Sequence, residues 1–174
     1  LGLIETHTAL EKARTKFTIS IQYNESNSSA YYNRARIYLK LKNDEAAYND
    51  LNKTIAINPG HSKLYFKFGN LLYKMNLKEE AIKQFTRSFE LDKNDRLSIN
   101  NKGKCLKDLK KNKEALECFN ASLEIDPYFD VAFINKGQVL FEMKKYNDGI
   151  ELFEKALQVD KNDKFRYYYL SKCY

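Results

Sequence analysis

Apolar positions along this chain recur at helical rather than strand spacing. Tyr31, Ala35, Tyr38 and Leu39 fall three or four residues apart and mark one face of a helix; after a short polar break, Ala47, Leu51, Thr54 and Ile55 mark a second. Paired stripes of this kind continue along the chain, so the pattern predicts an all-α fold of antiparallel helix pairs. Acidic residues stand where each second helix should begin: Asp44 with Glu45, Glu79 with Glu80, Glu114, and Asp148. There they oppose the positive end of the helix dipole. Asp95, Asp130, Asp163 and Ser62 are the expected N-caps of first helices.

The stripes repeat with a period of 34 residues and the register does not slip. In blocks beginning at Ser28, Ser62, Arg96 and Asp130, the eighth place is always small: Ala35, Gly69, Gly103 and Gly137. The twentieth place holds Ala47, Ala81, Ala115 and Gly149, and the twenty-fourth holds Leu51, Phe85, Phe119 and Phe153. Small residues thus recur where two helices must touch, and a bulky side chain at Gly103 would overfill that crossing. Thr54, Ser88, Ser122 and Ala156 share the twenty-seventh place, and Pro59 and Pro127 close the first and third blocks where Lys93 and Lys161 close the others. The frame extends back to Ala13, Phe17 and Ser20 and forward to Tyr167, Leu170 and Tyr174.

This pattern of an aromatic, a small residue, a tyrosine, an alanine, a phenylalanine and a closing proline resembles the tetratricopeptide repeat family. The tryptophan place of the family pattern holds Tyr31, Tyr65, Ile99 and Phe133, and Arg34 and Lys102 stand where leucine is common. The resemblance implies a right-handed superhelical solenoid of antiparallel helix pairs, and a protein-binding module with no catalytic site of its own. It divides the chain into the end of a partial repeat (1–27), four repeats (28–61, 62–95, 96–129 and 130–163) and the start of a further one (164–174). One helix pair cannot bury its apolar face, so stability is expected to come from stacking on neighbours. An array ending at Tyr174 would expose core, so either the chain is expected to continue or another molecule to cover it, and Leu1 in place of an initiating methionine suggests a piece of a longer chain.

Composition narrows the classes. Of 174 residues only two are proline and six glycine, and no apolar run is long enough to span a bilayer, so membrane insertion is not expected. No secretory signal is visible. Three cysteines, Cys105, Cys118 and Cys173, form no CxxC pair, which points away from a disulfide framework or a zinc site and towards a reducing, cytoplasmic location. Cys105 and Cys118 fall on inward faces as small apolar residues. No phosphate loop, nucleophile elbow or metal-ligand motif appears, so no catalytic residue, cofactor, metal or small-molecule substrate is expected. The two histidines are His7 and His61, the latter in the turn after Pro59 and Gly60.

Thirty basic residues against 23 acidic give a net charge of +7. The four full blocks carry +2, +2, +2 and −2, too shallow and discontinuous an excess to favour nucleic acid over protein. In the family the first helix of each repeat lines the concave groove, with the second, fifth, sixth, ninth, twelfth and thirteenth places facing inward. Carried onto this sequence, the sixth places hold Asn33, Lys67, Asn101, Asn135 and Tyr169. Asparagine can grip a peptide backbone with an acceptor and two donors, and the line resembles the asparagine ladder of O-GlcNAc transferase repeats. Lys67 breaks it, and asparagine is frequent throughout, so a hydrated polar groove is the competing reading.

The first half of this expected groove is basic, with Arg36, Lys40, Lys63, Lys67, Lys74, Lys104 and Lys107. Tyr32, Phe66 and Tyr73 stand among them and Asn70 beside them. Such a surface would suit an acidic peptide with an aromatic or aliphatic anchor. Towards the C-terminus it turns apolar, with Leu97, Val131, Ile134, Phe141, Phe165 and Tyr168. The two-carboxylate clamp of co-chaperone repeats is not met: Phe66 replaces its first lysine, Asn70 and Asn101 are present, and Val131 and Asn135 replace its final basic pair. The expected function is therefore partner binding within a larger protein assembly, by way of the groove. The alternatives are the substrate-recruiting region of a larger enzyme such as an O-GlcNAc transferase-like protein, or a co-chaperone lacking the clamp.

Overall fold

The structure, a computed structural model, describes residues 2–159 and, beyond them, Tyr167, Tyr168, Leu170 and Ser171; for residues 2–6 and 155–159 it describes the backbone only. The candidate residues Phe165 and Tyr169, the expected cap Asp163, and Cys173 lie outside the described residues. Among the described residues there are nine helices and no strand. They are α1 (Gly2–Tyr23), α2 (Ser28–Lys40), α3 (Asp44–Ile57), α4 (Ser62–Lys74), α5 (Lys78–Leu91), α6 (Arg96–Asp108), α7 (Asn112–Ile125), α8 (Asp130–Glu142) and α9 (Tyr146–Val159). They form two compact units, Leu1–Leu77 and Lys78–Tyr174.

The same kind of turn closes the C-terminal ends of α2, α4, α6 and α8. Each contains one residue of positive φ, Lys42 at 58°, Asn76 at 62°, Lys110 at 61° and Lys144 at 57°. Beside each, two backbone bonds tie off the last carbonyls of the preceding helix. At the first turn Asn43 N–H donates to the Tyr38 carbonyl at 2.9 Å and Lys42 N–H to Leu39 at 3.1 Å, and the same pair recurs at Leu77 and Asn76, Lys111 and Lys110, and Lys145 and Lys144. This is a Schellman closure. Asparagine tolerates the left-handed conformation, whereas lysine there costs about 1–2 kcal/mol. Lys110→Gly is therefore expected to stabilise the protein by about 0.5–1 kcal/mol in urea unfolding, the relief exceeding glycine's extra entropy. Lys110→Val should lose at least as much.

In the first unit Ala35, Ala47, Leu51 and Leu72 are fully enclosed. The Asn58 amide donates to Ser28 Oγ at 2.8 Å, linking the end of α3 to the start of α2. Tyr65 OH donates to the Pro59 carbonyl at 3.1 Å, so the closing proline's turn is tied to α4. Arg34 explains itself here. Its guanidinium donates twice to Asp50, each at 2.7 Å, and once to Thr18 Oγ1 at 3.3 Å, and it lies against the rings of Tyr31 and Tyr38. The pair is largely buried, the Arg34 side chain 16% and Asp50 7% exposed. The bond to Asp50 raises the Arg34 pKa against the opposing effect of burial.

In the second unit Ile99, Leu106, Ala115, Cys118, Phe119 and Val139 form one core, with Ile82 and Phe89 packed on it. Gly103 and Gly137 are seats for rings. A Cβ on Gly103 would lie 2.7 Å from Phe119 Cε1, and one on Gly137 only 2.0 Å from Phe153 Cζ. Asp95 caps α6 as expected: its carboxylate accepts from the backbone N–H of Leu97 and Ser98, from Ser98 Oγ, and from Ser88 Oγ at 3.2 Å. Ser62 and Asp130 instead occupy the first helical residue, with His61 and Phe129 at the cap position. The side chains of Asn27 and Asn43 cap α2 and α3.

Candidate functional site

The first helix of each repeat carries the residues singled out from the sequence. In the first unit four come together on α2 and α4. Lys67 Nζ sits 4.9 Å above the Tyr32 ring and the Arg36 guanidinium 5.9 Å from it. Arg36 also donates to Asn33 Oδ1 at 3.4 Å. Two cations against one tyrosine ring concentrate positive potential beside a partly exposed apolar face. Lys63 is exposed, and Phe66, Asn70 and Tyr73 are half-buried.

The second unit is different. Asn135 is nearly enclosed, 9% exposed, and its amide donates to Asn100 Oδ1 at 3.2 Å. Asn100, itself buried, donates in turn to Asn101 Oδ1 at 3.3 Å. The three amides form a relay whose half-exposed end is Asn101. Asn100 did not stand out in the sequence, although its fifth place beside Asn101 was the available signal. Lys107 donates to Gln138 Oε1 at 2.7 Å and is half-buried, and desolvation lowers its pKa. Lys104 is exposed.

The apolar candidates of this unit split by depth. Leu97, Val131 and Phe141 are 43%, 49% and 41% exposed, Ile134 is half-buried, and Tyr168 is 53% exposed. Phe141 meets Tyr146 edge to face at 5.5 Å. Between α7, α8 and α9, Leu116, Leu140 and Leu152 line a depression of about 360 Å³ together with Lys136, Lys145, Asp148 and Glu151.

Burial pushes the Cys105 thiol up to about 12 and the Cys118 thiol up to about 11, so these two are packed as apolar residues rather than poised as nucleophiles. Among the described residues, no group of histidine, cysteine and acidic side chains could hold a metal ion, and no helix is long and apolar enough to cross a membrane.

Antiparallel helix pairs in a fixed 34-residue register, with small residues at the crossings, define a helical-repeat protein. The chain belongs to the tetratricopeptide repeat family, which its sequence matches at residues 28–61, 62–95, 98–129 and 131–163. Solved structures share the fold. YrrB, described as a tetratricopeptide-repeat protein with an unusual peptide-binding site, superposes with a TM-score of 0.73 at 23% identity, over 96% of this chain and 86% of that one. MamA gives a TM-score of 0.77 at 16% identity, over 90% and 92%. The first tetratricopeptide repeat domain of Spaghetti (RPAP3), bound to the HSP90 peptide SRMEEVD, gives 0.59 at 20% identity, over 64% and 89%. Among curated proteins the sequence finds no match.

Proposed function

We propose that this protein is a non-catalytic interaction module that holds an extended segment of a partner protein against the first helices of its repeats, within a larger assembly. The observation that carries the reading is the cluster on α2 and α4, where Lys67 and Arg36 both lie against the Tyr32 ring with Asn33 alongside. These side chains offer hydrogen bonds, an aromatic face and positive charge on a helix face that the core does not need. The fold supports it, since two structural neighbours, YrrB and the Spaghetti domain, are described as peptide-binding. An acidic partner segment suits the first unit, and the exposed Leu97 and Val131 suit apolar side chains in the second.

The test is selection of peptides from a random display library on the purified chain, comparing wild type with Tyr32→Ala/Lys67→Ala and with Asn33→Ala/Asn101→Ala, after matching folds by circular dichroism. Asn135 is left intact because its amide is spent on Asn100. We expect wild type to enrich extended sequences whose affinity falls at least tenfold in one or both variants. Enriched peptides that bind both variants as tightly as wild type would move the function to another face.

A further inference from the structure

Beside the Tyr32 cluster, the ends of α2 and α4 enclose a depression of about 420 Å³. Its floor is Leu39, Leu71 and Met75, and its rim carries Arg36, Lys40 and Lys74 against a single carboxylate, Asp44. Among the described residues, none of the three cations forms an ion pair. We infer that this depression is an anchor subsite for one aliphatic or methionine side chain of a partner peptide, flanked in that peptide by carboxylates. The inference rests on the proposed peptide-binding function and names which part of the peptide sets its register.

The volume is the first argument, since it lies within the range of small-ligand clefts and exceeds what one side chain fills. An anchor and the backbone on either side of it fit together. The floor is the second. Leu39 and Met75 are half-buried and Leu71 is buried, so the surface is aliphatic, and methionine adapts its shape to what enters. Charge is the third: three cations to one acid around an apolar floor reject a basic segment and reward carboxylates on both sides of the anchor. Arg36 belongs to the rim and also touches Tyr32 and Asn33, so the subsite is continuous with the cluster above it. Single-stranded nucleic acid would want an aromatic platform for stacking, and this floor has none.

The inference is tested with the 174-residue chain and two fluorescein-labelled peptides of nine residues, one of glutamates around a central leucine and one with a central serine. Anisotropy at 50 and 300 mM salt gives the affinities, and a labelled oligothymidine serves as the competing class. The leucine peptide is expected to bind at least tenfold more tightly than the serine peptide. Lys40→Gln/Lys74→Gln should weaken it at least tenfold, and high salt should weaken it likewise. A photo-reactive leucine at the central position should crosslink to Leu39, Leu71 or Met75.

Equal affinity for the two peptides, crosslinks elsewhere, no measurable binding, or oligothymidine binding more tightly through the same lysines would each overturn the subsite. Loss of binding in Tyr32→Ala/Lys67→Ala with none in the double glutamine variant would sink the subsite and leave the broader reading standing. Failure of both that variant and the display selection would take down the broader reading too.

Discussion

Arg34→Met is expected to cost about 3–5 kcal/mol, the largest loss from any single charge in the first unit. The reason is the partner left behind. Asp50 is buried on α3, and without the guanidinium its carboxylate keeps the desolvation penalty and loses both 2.7 Å bonds. Thr18 on α1 loses a donor in the same step, and Tyr31 and Tyr38 lose the cation packed on their rings. The double variant Arg34→Met/Asp50→Leu should recover most of the loss or exceed wild type, because an apolar pair needs no desolvation. Repeat proteins need not unfold in one step. Hydrogen exchange read separately in α1–α4 and α5–α9 is therefore the better measure, with opening expected in the first group. If the single and double variants prove equally unstable, the pair contributes shape and not charge.

The departure of Arg34 from the family pattern was visible in the sequence, but its meaning was not. The repeat arithmetic puts Arg34 at the seventh place of its block, where Phe68, Lys102 and Lys136 stand in the others, and Asp50 at the twenty-third, where Gln84, Cys118 and Leu152 stand. Only the first block pairs opposite charges at these places. Periodicity identifies the helices because every block repeats the same demand for burial. It says nothing about a pairing that occurs once.

Caps show the same limit on a smaller scale. Asp95 was legible because its carboxylate has two backbone donors within reach, whereas at Ser62 and Asp130 the helix begins one residue sooner. The asparagines at the sixth places show it for function. Register puts Asn101 and Asn135 at equivalent places, yet Asn135 turns to a buried Asn100 and Asn101 keeps its exposure. The anchor depression draws Asn76 and Met75 from a turn, positions that a rule about helix faces does not reach.

Gly137→Ala is expected to be more damaging than the same methyl group added at Gly103. Its Cβ would stand 2.0 Å from Phe153 Cζ, 2.6 Å from Cε2 and 3.1 Å from Cε1. Phe153 is fully enclosed and cannot swing into solvent. In an open helix the change would gain about 1 kcal/mol of propensity, so a net loss of about 1–3 kcal/mol measures the crowding after that gain is spent. Gly103→Ala should lose less, since its closest contact with Phe119 is 2.7 Å. The first block shows how the conflict is resolved: its eighth place is Ala35 and its twenty-fourth is Leu51, a smaller partner, and both are fully buried. Gly137→Ala/Phe153→Leu copies that pairing and should be more stable than Gly137→Ala alone, while Phe153→Leu by itself leaves a void above glycine and loses stability. Urea unfolding of the four variants decides the matter. A destabilised double variant, no better than Gly137→Ala, would mean that the two places do not trade volume and that the ring and the glycine are held apart by something other than their contact.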